Sequence, residues 1–180
     1  MKARQQQKTV TRTIRLPGSL DSVLQKDAKE KRTTVNSLIS SIITRYAEWD
    51  RYADAFGFIC LPRNGFKLIL DALGDETVRQ IAETIGSRQP RELMMFVFKK
   101  TTLDAFLSQI SLFSRYAGFG TYEIEAVSER DYTMVVHHEL GRKWSIYLAH
   151  LGSQGLKSTV NVAPKVHIAE NSVVFKFSVP

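Results

Sequence analysis

An alternating segment near the start of the chain limits most strongly what this sequence can fold into. Residues 9–16 read Thr-Val-Thr-Arg-Thr-Ile-Arg-Leu, and Pro-Gly follows them. The side chains of a strand alternate between two faces, so one face here is mainly apolar and the other is wholly polar. The first face holds Val10, Arg12, Ile14 and Leu16, and the second holds Thr9, Thr11, Thr13 and Arg15. Because no other strand pattern lies nearby, this strand needs a partner from elsewhere.

Two helical patterns follow the predicted strand. The first begins after Ser19, its predicted N-cap, and the second begins after Thr34 and continues to about Phe56. Two helices and one strand bury too little apolar surface to fold alone. Two copies that pair their strands as an antiparallel ribbon and pack their helices together remove both problems. The predicted core of that dimer contains Ile14, Leu16, Leu20, Leu24, Leu38 and Ile42.

The strand and the two helices together resemble a known family. The stretch "RTIRLPGSLDSVLQKDAKEKRTTVNSLISSIITRYAEW" is similar to the ribbon-helix-helix family of Arc, MetJ and CopG-like repressors, over about residues 9–53. The resemblance implies an intertwined dimer whose ribbon enters the DNA major groove. It implies base contacts from Thr11, Thr13 and Arg15, and phosphate contacts from the start of the second helix, at Thr34, Val35 and Asn36. The family usually has a glycine that closes the first helix, whereas this chain has Arg32.

The chemistry of these residues suits DNA recognition independently of the resemblance. A two-stranded ribbon fits the major groove. Arginine pairs with guanine O6 and N7, and threonine can form a hydrogen bond with a base or contact a thymine methyl group. A helix N-terminus offers free N–H groups to a phosphate. The alternative for Thr11, Thr13 and Arg15 is an exposed strand edge that polar side chains keep soluble.

The positive charge of the chain is concentrated at the same end. The whole sequence has a formal net charge of +7, and residues 1–35 carry nine Lys or Arg against three acidic residues. This stretch therefore holds six of the seven excess charges. A basic end on a near-neutral body is typical of a protein with an anionic partner, most often nucleic acid, and a solvated basic tail is the alternative. Residues 1–8 are predicted to be a flexible basic arm whose Lys2, Arg4 and Lys8 contact DNA phosphates.

The rest of the chain is predicted to be a separate α+β domain. Residues 9–56 form the predicted DNA-binding and dimerisation domain, 57–64 a connector, and 65–180 a regulatory or oligomerisation domain. From residue 92 the patterns read strand, helix, strand, strand, helix, strand, with one further strand at the end. This order is typical of a ferredoxin-like or ACT-like sandwich. It depends on "ELMMFVF" (residues 92–98) being a strand, and a helix is the alternative there.

Four histidines are the weak candidates for a metal site. A ribbon-helix-helix domain followed by an ACT-like domain resembles the nickel-responsive regulator NikR, but the spaced histidine and cysteine ligands of that regulator are not matched. Adjacent histidines on a strand point to opposite faces and cannot bind one ion. Ordinary core or surface histidines are therefore expected, with a site across a subunit interface as the alternative, and no cofactor is expected. The four candidates are His137, His138, His150 and His167.

Catalytic motifs are absent from the sequence, so no enzyme is expected. There is no phosphate-binding loop, no complete dinucleotide fingerprint and no G-x-S-x-G element. The aromatic residues of the second half are expected to form a core and not a ligand box.

These observations predict a transcriptional regulator, most simply a repressor, that binds double-stranded DNA as a homodimer, with a tetramer as the alternative. Its C-terminal domain senses a small-molecule effector or sets the oligomeric state. The lone Cys60, the absence of an apolar run of about 18 residues, and the absence of an apolar stretch after the basic start predict a cytoplasmic, nucleoid-associated protein without a membrane segment. The rivals are an antitoxin-like interaction protein and a DNA-tethered enzyme. The antitoxin interpretation conflicts with a C-terminal part of about 120 residues that has its own apolar pattern.

Overall fold

A computed structural model describes residues 9–179 of the chain. Its internal contacts divide the protein into two compact units, the first ending at Tyr46 and the second beginning at Ala47. The predicted domain boundary after residue 56 lies further along the chain.

The first unit consists of two helices with an irregular segment before them. Helix α1 spans Gly18–Glu30 and helix α2 spans Val35–Arg45. The predicted N-cap at Ser19 is wrong, because Pro17 precedes the helix and Ser19 lies in its first turn. Thr34 is the N-cap of α2, as predicted, because its hydroxyl oxygen accepts a hydrogen bond from the Ser37 backbone N–H at 3.1 Å. Residues 9–17 form no helix and have no strand partner within the described chain. Since the predicted ribbon needs a second copy, it stays a prediction.

The turn between the two helices has the geometry that a glycine usually provides. Arg32 adopts a left-handed conformation with φ of 51°. The Thr33 N–H donates to the Ala28 carbonyl at 2.9 Å, and the Arg32 N–H donates to the Lys29 carbonyl at 3.1 Å. This pair of hydrogen bonds defines a Schellman motif, in which glycine is preferred because it has no Cβ to strain. The structure thus places a strained arginine where the resembled family has glycine.

Replacing Arg32 with Gly is therefore expected to stabilise α1 by about 1 kcal/mol. Slower hydrogen exchange of the α1 amides, at a fixed protein concentration, would measure this gain. Lys31→Gly is the matched control, because Lys31 has an ordinary φ of −83° and should lose about 0.5–1 kcal/mol. Equal or opposite effects of the two substitutions would contradict the strain at Arg32.

The second unit begins with helices. A π-helical stretch, Tyr46–Asp50, leads from α2 into the helix Arg51–Phe56, and a second π-helical stretch, Phe113–Ala117, ends the helical part. In chain order the α-helices are α3 Arg51–Phe56, α4 Arg63–Asp71, α5 Asp75–Gly86, α6 Gln89–Phe98 and α7 Leu103–Leu112. None of the helices within residues 9–179 is both long and apolar enough to cross a membrane.

The strand predicted at residues 92–98 is wrong, because this segment belongs to helix α6. Pro90 lies in the first turn, where its missing N–H costs nothing. Leu93 and Met94 are buried, and Val97 and Phe98 are half-buried, at helical spacing from Pro90. The helices therefore precede the sheet, and the ferredoxin-like or ACT-like order predicted from residue 92 is not confirmed, although the α+β class is.

An antiparallel sheet of four strands follows, in the spatial order β1-β2-β4-β3. A long helix, α8 (Arg142–Val160), connects β2 to β3. Residues 158–164, "STVNVAP", have a strand-like pattern in the sequence, but α8 continues to Val160. Asn161, in the left-handed conformation that asparagine tolerates, ends the helix. The strands are β1 Thr121–Ala126, β2 Asp131–His137, β3 Lys165–Ile168 and β4 Ser172–Ser178.

The main core lies between α8 and one face of this sheet. Met134 pairs with Phe175 and Val136 pairs with Val173 in the β2–β4 register, and all four side chains are buried. Gly152 lets α8 approach the sheet closely, since a Cβ there would lie 2.7 Å from the Phe175 ring. Helices α5, α6 and α7 also contact α8, so that this helix is the centre of the second unit.

Candidate functional site

The three residues assigned to base contacts lie on the surface of the first unit. Thr11, Thr13 and Arg15 are exposed, whereas Leu16 is half-buried against the unit's small core. Lys2, Arg4 and Lys8, assigned to phosphate contacts, lie outside the described residues. The described part of the segment thus exposes hydrogen-bond donors and a positive charge.

The start of α2 has the properties expected of a phosphate contact. Thr34 caps the helix, and the first turn, which lies wholly within the described chain, contains no acidic residue. Asn36 is exposed, while Val35 packs against the core of the unit. The groups exposed at this helix end are the side chains of Thr34 and Asn36, and the Ser37 N–H is already bound to the Thr34 hydroxyl.

An exposed apolar surface is the most unusual feature of the first unit. Among its described residues, only Leu24, Ala28 and Leu38 are buried in its core, whereas Ile14 is 55% exposed and Ile42 is 50% exposed. Exposed apolar patches, when they are large and contiguous, mark interaction surfaces in proteins. The exposed apolar residues of this unit, which we call the apolar face, are Val10, Ile14, Leu20, Val23, Ile42, Ile43 and Tyr46.

The six residues of the predicted dimer core therefore divide into two groups. Leu24 and Leu38 are buried and Leu16 is half-buried within one copy. The remaining three, Ile14, Leu20 and Ile42, are exposed. The first group stabilises the single unit, and the second group lies on the apolar face.

The second unit contains a cavity of about 210 Å³ between its helices and its sheet. Side chains from α5, α6, α7, β2, α8 and β4 line it, together with Phe56 and Phe58 from the start of the unit. Trp144 stacks on Tyr147 at its wall, with ring centroids 4.7 Å apart. Burial raises the pKa of Tyr147, so the phenol is neutral at ordinary pH. No charged side chain is among the lining residues, all of which belong to the described chain.

Gln109 is the buried polar residue in the lining of this cavity. Its side chain is 8% exposed, and its Oε1 accepts no hydrogen bond from any group in the described chain. Sequence reasoning missed this residue. The available signal was a glutamine on the apolar stripe of α7, four residues after Ala105 and three after Phe106, both of which are buried.

The four histidines do not come together. No group of three or more His, Cys, Asp or Glu side chains within residues 9–179 is arranged to hold a metal ion. His137 and His167 are exposed on β2 and β3. His150 pairs with Glu83, its Nδ1 lying 3.1 Å from the Glu83 Oε1, and His138 is buried.

Buried His138 and Ser145 form a structural hydrogen-bond network and not a catalytic pair. Its Nδ1 accepts a hydrogen bond from the Leu140 N–H at 3.3 Å, so the proton of the neutral ring is on Nε2. Nε2 lies 2.8 Å from the Ser145 Oγ and donates to it, while Ser145 donates to the Glu170 carbonyl at 3.2 Å. Because His138 donates a hydrogen bond to Ser145 instead of accepting one, it does not activate the hydroxyl as a nucleophile.

The burial of His138 in this hydrogen-bond network predicts that the stability of the protein depends on pH. Burial is the main cause that lowers the pKa of His138, Glu170 opposes it and His137 adds to it. The unfolded chain takes up a proton near pH 6.5 and the folded chain does so only at a lower pH, so stability is lost as the pH falls below about 6.5, by at most about 1.4 kcal/mol per pH unit. His138→Gln, whose amide can still donate to Ser145, is expected to remove this loss between pH 7.5 and 5.5 in urea unfolding. His137→Gln, at an exposed site, should keep it, and identical pH profiles for both variants would contradict the assignment.

Comparison with known proteins adds no assignment, because no family model, curated protein or solved structure matches this chain. The functional proposal therefore rests on the surface of the first unit and the cavity of the second.

Proposed function

We propose that this protein is a homodimeric, sequence-specific DNA-binding transcriptional regulator of the ribbon-helix-helix type, most simply a repressor. The apolar face of the first unit is the observation that carries the proposal. A second copy that pairs its residues 9–16 with those of the first and packs its helices on Ile14, Leu20 and Ile42 would cover that face. The same contact would then supply the backbone hydrogen bonds of the strand edge and bury the apolar face.

Pairing of the two segments would place the polar residues on the outer face of the ribbon. Thr11, Thr13 and Arg15 are exposed in the single copy, and their donors and charge suit base edges in the major groove. The starts of the two α2 helices would contact phosphates on either side, through Thr34, Val35 and Asn36. Lys2, Arg4 and Lys8 would add salt-dependent attraction.

The second unit would regulate the first. Its cavity supports a role in sensing a small-molecule effector, and its size leaves room for a second oligomer contact that would make a tetramer. A protein of this kind works in the cytoplasm, associated with the nucleoid. This role requires no metal, cofactor or catalytic step.

Selection of bound sequences from a random duplex library by the full-length chain tests the proposal. An inverted or closely spaced repeat is expected, since the two-fold axis of the ribbon would relate the two halves of the target. Sedimentation of the same preparation should give a dimer or a tetramer. A folded monomer at micromolar concentration, or equal recovery of all sequences, would overturn the proposal.

A further inference from the structure

We propose that the cavity of the second unit is a binding site for a small, uncharged aromatic molecule that donates one hydrogen bond to Gln109 Oε1. The identification of this molecule as the regulator's effector rests on the proposed function, whereas its binding to the cavity does not. Three properties of the cavity point to such a molecule: its volume, the chemistry of its wall and the unpaired oxygen of Gln109.

The volume of the cavity suits a molecule of about two fused rings. An apolar cavity of about 150 Å³ in a protein core holds one benzene molecule. The cavity here is larger, at about 210 Å³, so there is room for a second fused ring.

The wall selects an uncharged and largely apolar molecule. Aromatic side chains supply much of it, and they can stack against a planar ring or contact its edge. An ionised ligand group would lose its hydration without gaining a counter-charge, because no charged side chain lines the cavity. The aromatic lining residues are Phe56, Phe58, Phe106, Phe113, Phe119, Trp144, Tyr147 and Phe175.

Gln109 selects a hydrogen-bond donor on the ligand. A buried amide oxygen without a partner is unfavourable, and such oxygens are uncommon in folded proteins. Trp144 offers the ligand no free polar group, because its one polar group, the Nε1–H, already donates to the Phe119 carbonyl at 3.0 Å. Gln109 also borders an adjoining space of about 10 Å³, which is no larger than the minimum for one water molecule.

The cavity is lined in part by the segment that begins the second unit. Phe56 and Phe58 line it, and Trp49 stacks on Phe58 with ring centroids 5.4 Å apart. These residues belong to the segment that begins the second unit, directly after the first unit in the sequence. A molecule in the cavity would therefore contact the part of the second unit that is covalently closest to the DNA-binding residues.

A comparison of 2-naphthol with naphthalene tests the site, since the two probes share a ring system and differ by one hydroxyl donor. Binding to the full-length protein would be followed by calorimetry and by Trp144 fluorescence in a Trp49→Phe background. Both probes are expected to bind. The ratio of 2-naphthol affinity to naphthalene affinity should fall about five- to tenfold in Gln109→Leu, because only the hydroxyl loses a partner.

Gln80→Leu is the matched control, because Gln80 is exposed on α5 and does not line the cavity; it should leave the ratio unchanged. Gln109→Met provides a second test if the leucine variant fails to fold. Binding of neither probe to the wild type would overturn the site. An equal ratio in the wild type and the folded Gln109 variants would overturn the hydrogen bond, as expected if a water molecule in the adjoining space satisfies Gln109.

The effector role has its own readout. Saturating 2-naphthol is expected to change the affinity for the selected DNA by threefold or more, and an unchanged affinity would overturn the effector role alone. If the chain binds no specific DNA, the proposed function fails, but the ratio of probe affinities still tests the cavity.

Discussion

Replacing Ile42 with Asp is expected to halve the sedimenting mass of the full-length protein at micromolar concentration. Ile42 is half exposed in the single copy, and in the proposed dimer it faces the partner copy. A carboxylate buried there without a partner would weaken association by at least about 3 kcal/mol, which is more than about 100-fold in the dissociation constant. Ile14→Asp is expected to have the same effect, because Ile14 lies on the same apolar face.

Ser40→Asp is the matched control for this experiment. It adds the same charge to α2 two positions earlier, about 200° around the helix from Ile42, and Ser40 is exposed. Sedimentation should find its mass unchanged. Circular dichroism at the same concentration would show whether the Ile42 variant is folded. An Ile42→Asp protein that keeps its mass, or a Ser40→Asp protein that loses it, would contradict the proposed interface.

The helices of the first unit could be predicted because local signals agree with one another there. The cap at Thr34, the apolar spacing of α2 and the Pro-Gly sequence before α1 all act within one or two turns of helix. The left-handed Arg32 could not be predicted from its residue type, since arginine rarely adopts that conformation. Only the position of glycine in the resembled family marks the turn.

The segment that forms helix α6 was wrongly predicted to be a strand. A short run of apolar residues is compatible with a buried strand or with a buried helix, and the aromatic and β-branched residues at the end of "ELMMFVF" favour a strand. The helical spacing becomes clear only when the window starts at Pro90, because Leu93, Met94, Val97 and Phe98 then follow it at intervals of three and four. Proline at the start of a helix was the missed signal.

The cavity could not be predicted because its wall is assembled from distant segments. Phe56, Gln109, Met134 and Phe175 all line it, although they are far apart in the sequence. Periodicity assigns each of them to an apolar face, but it cannot show whether opposing faces fill the space between them. The two adjacent strands β1 and β2 were predictable from alternation, whereas the unfilled volume depends on how α8, α7 and the sheet pack together.

The prediction with the greatest consequence for function concerns Arg15. Changing Arg15 to Ala is expected to weaken binding to the selected DNA by about 1–3 kcal/mol, which is about 5- to 150-fold, and to have little effect on scrambled DNA. The reason is that alanine cannot form the bidentate hydrogen bonds that arginine makes with guanine, while the phosphate contacts remain. Thr11→Ala and Thr13→Ala should relax sequence preference in the same way but more weakly.

Asn36→Ala is the control for binding that does not depend on sequence. Removing its proposed phosphate contact should weaken binding to all sequences alike, because phosphate contacts carry no sequence information. Neutralising Lys2, Arg4 or Lys8 should instead lower the slope of log affinity against log salt, by about 0.9 for each phosphate that the protein no longer neutralises. Binding curves on selected and scrambled duplexes at two salt concentrations separate these three classes of residue.

Arg15 is exposed, so its substitution should not unfold the protein. If folded Arg15→Ala and Thr13→Ala proteins keep full affinity and full sequence preference, the alternating segment at residues 9–16 does not read DNA, and its polar face serves only to keep an exposed edge soluble.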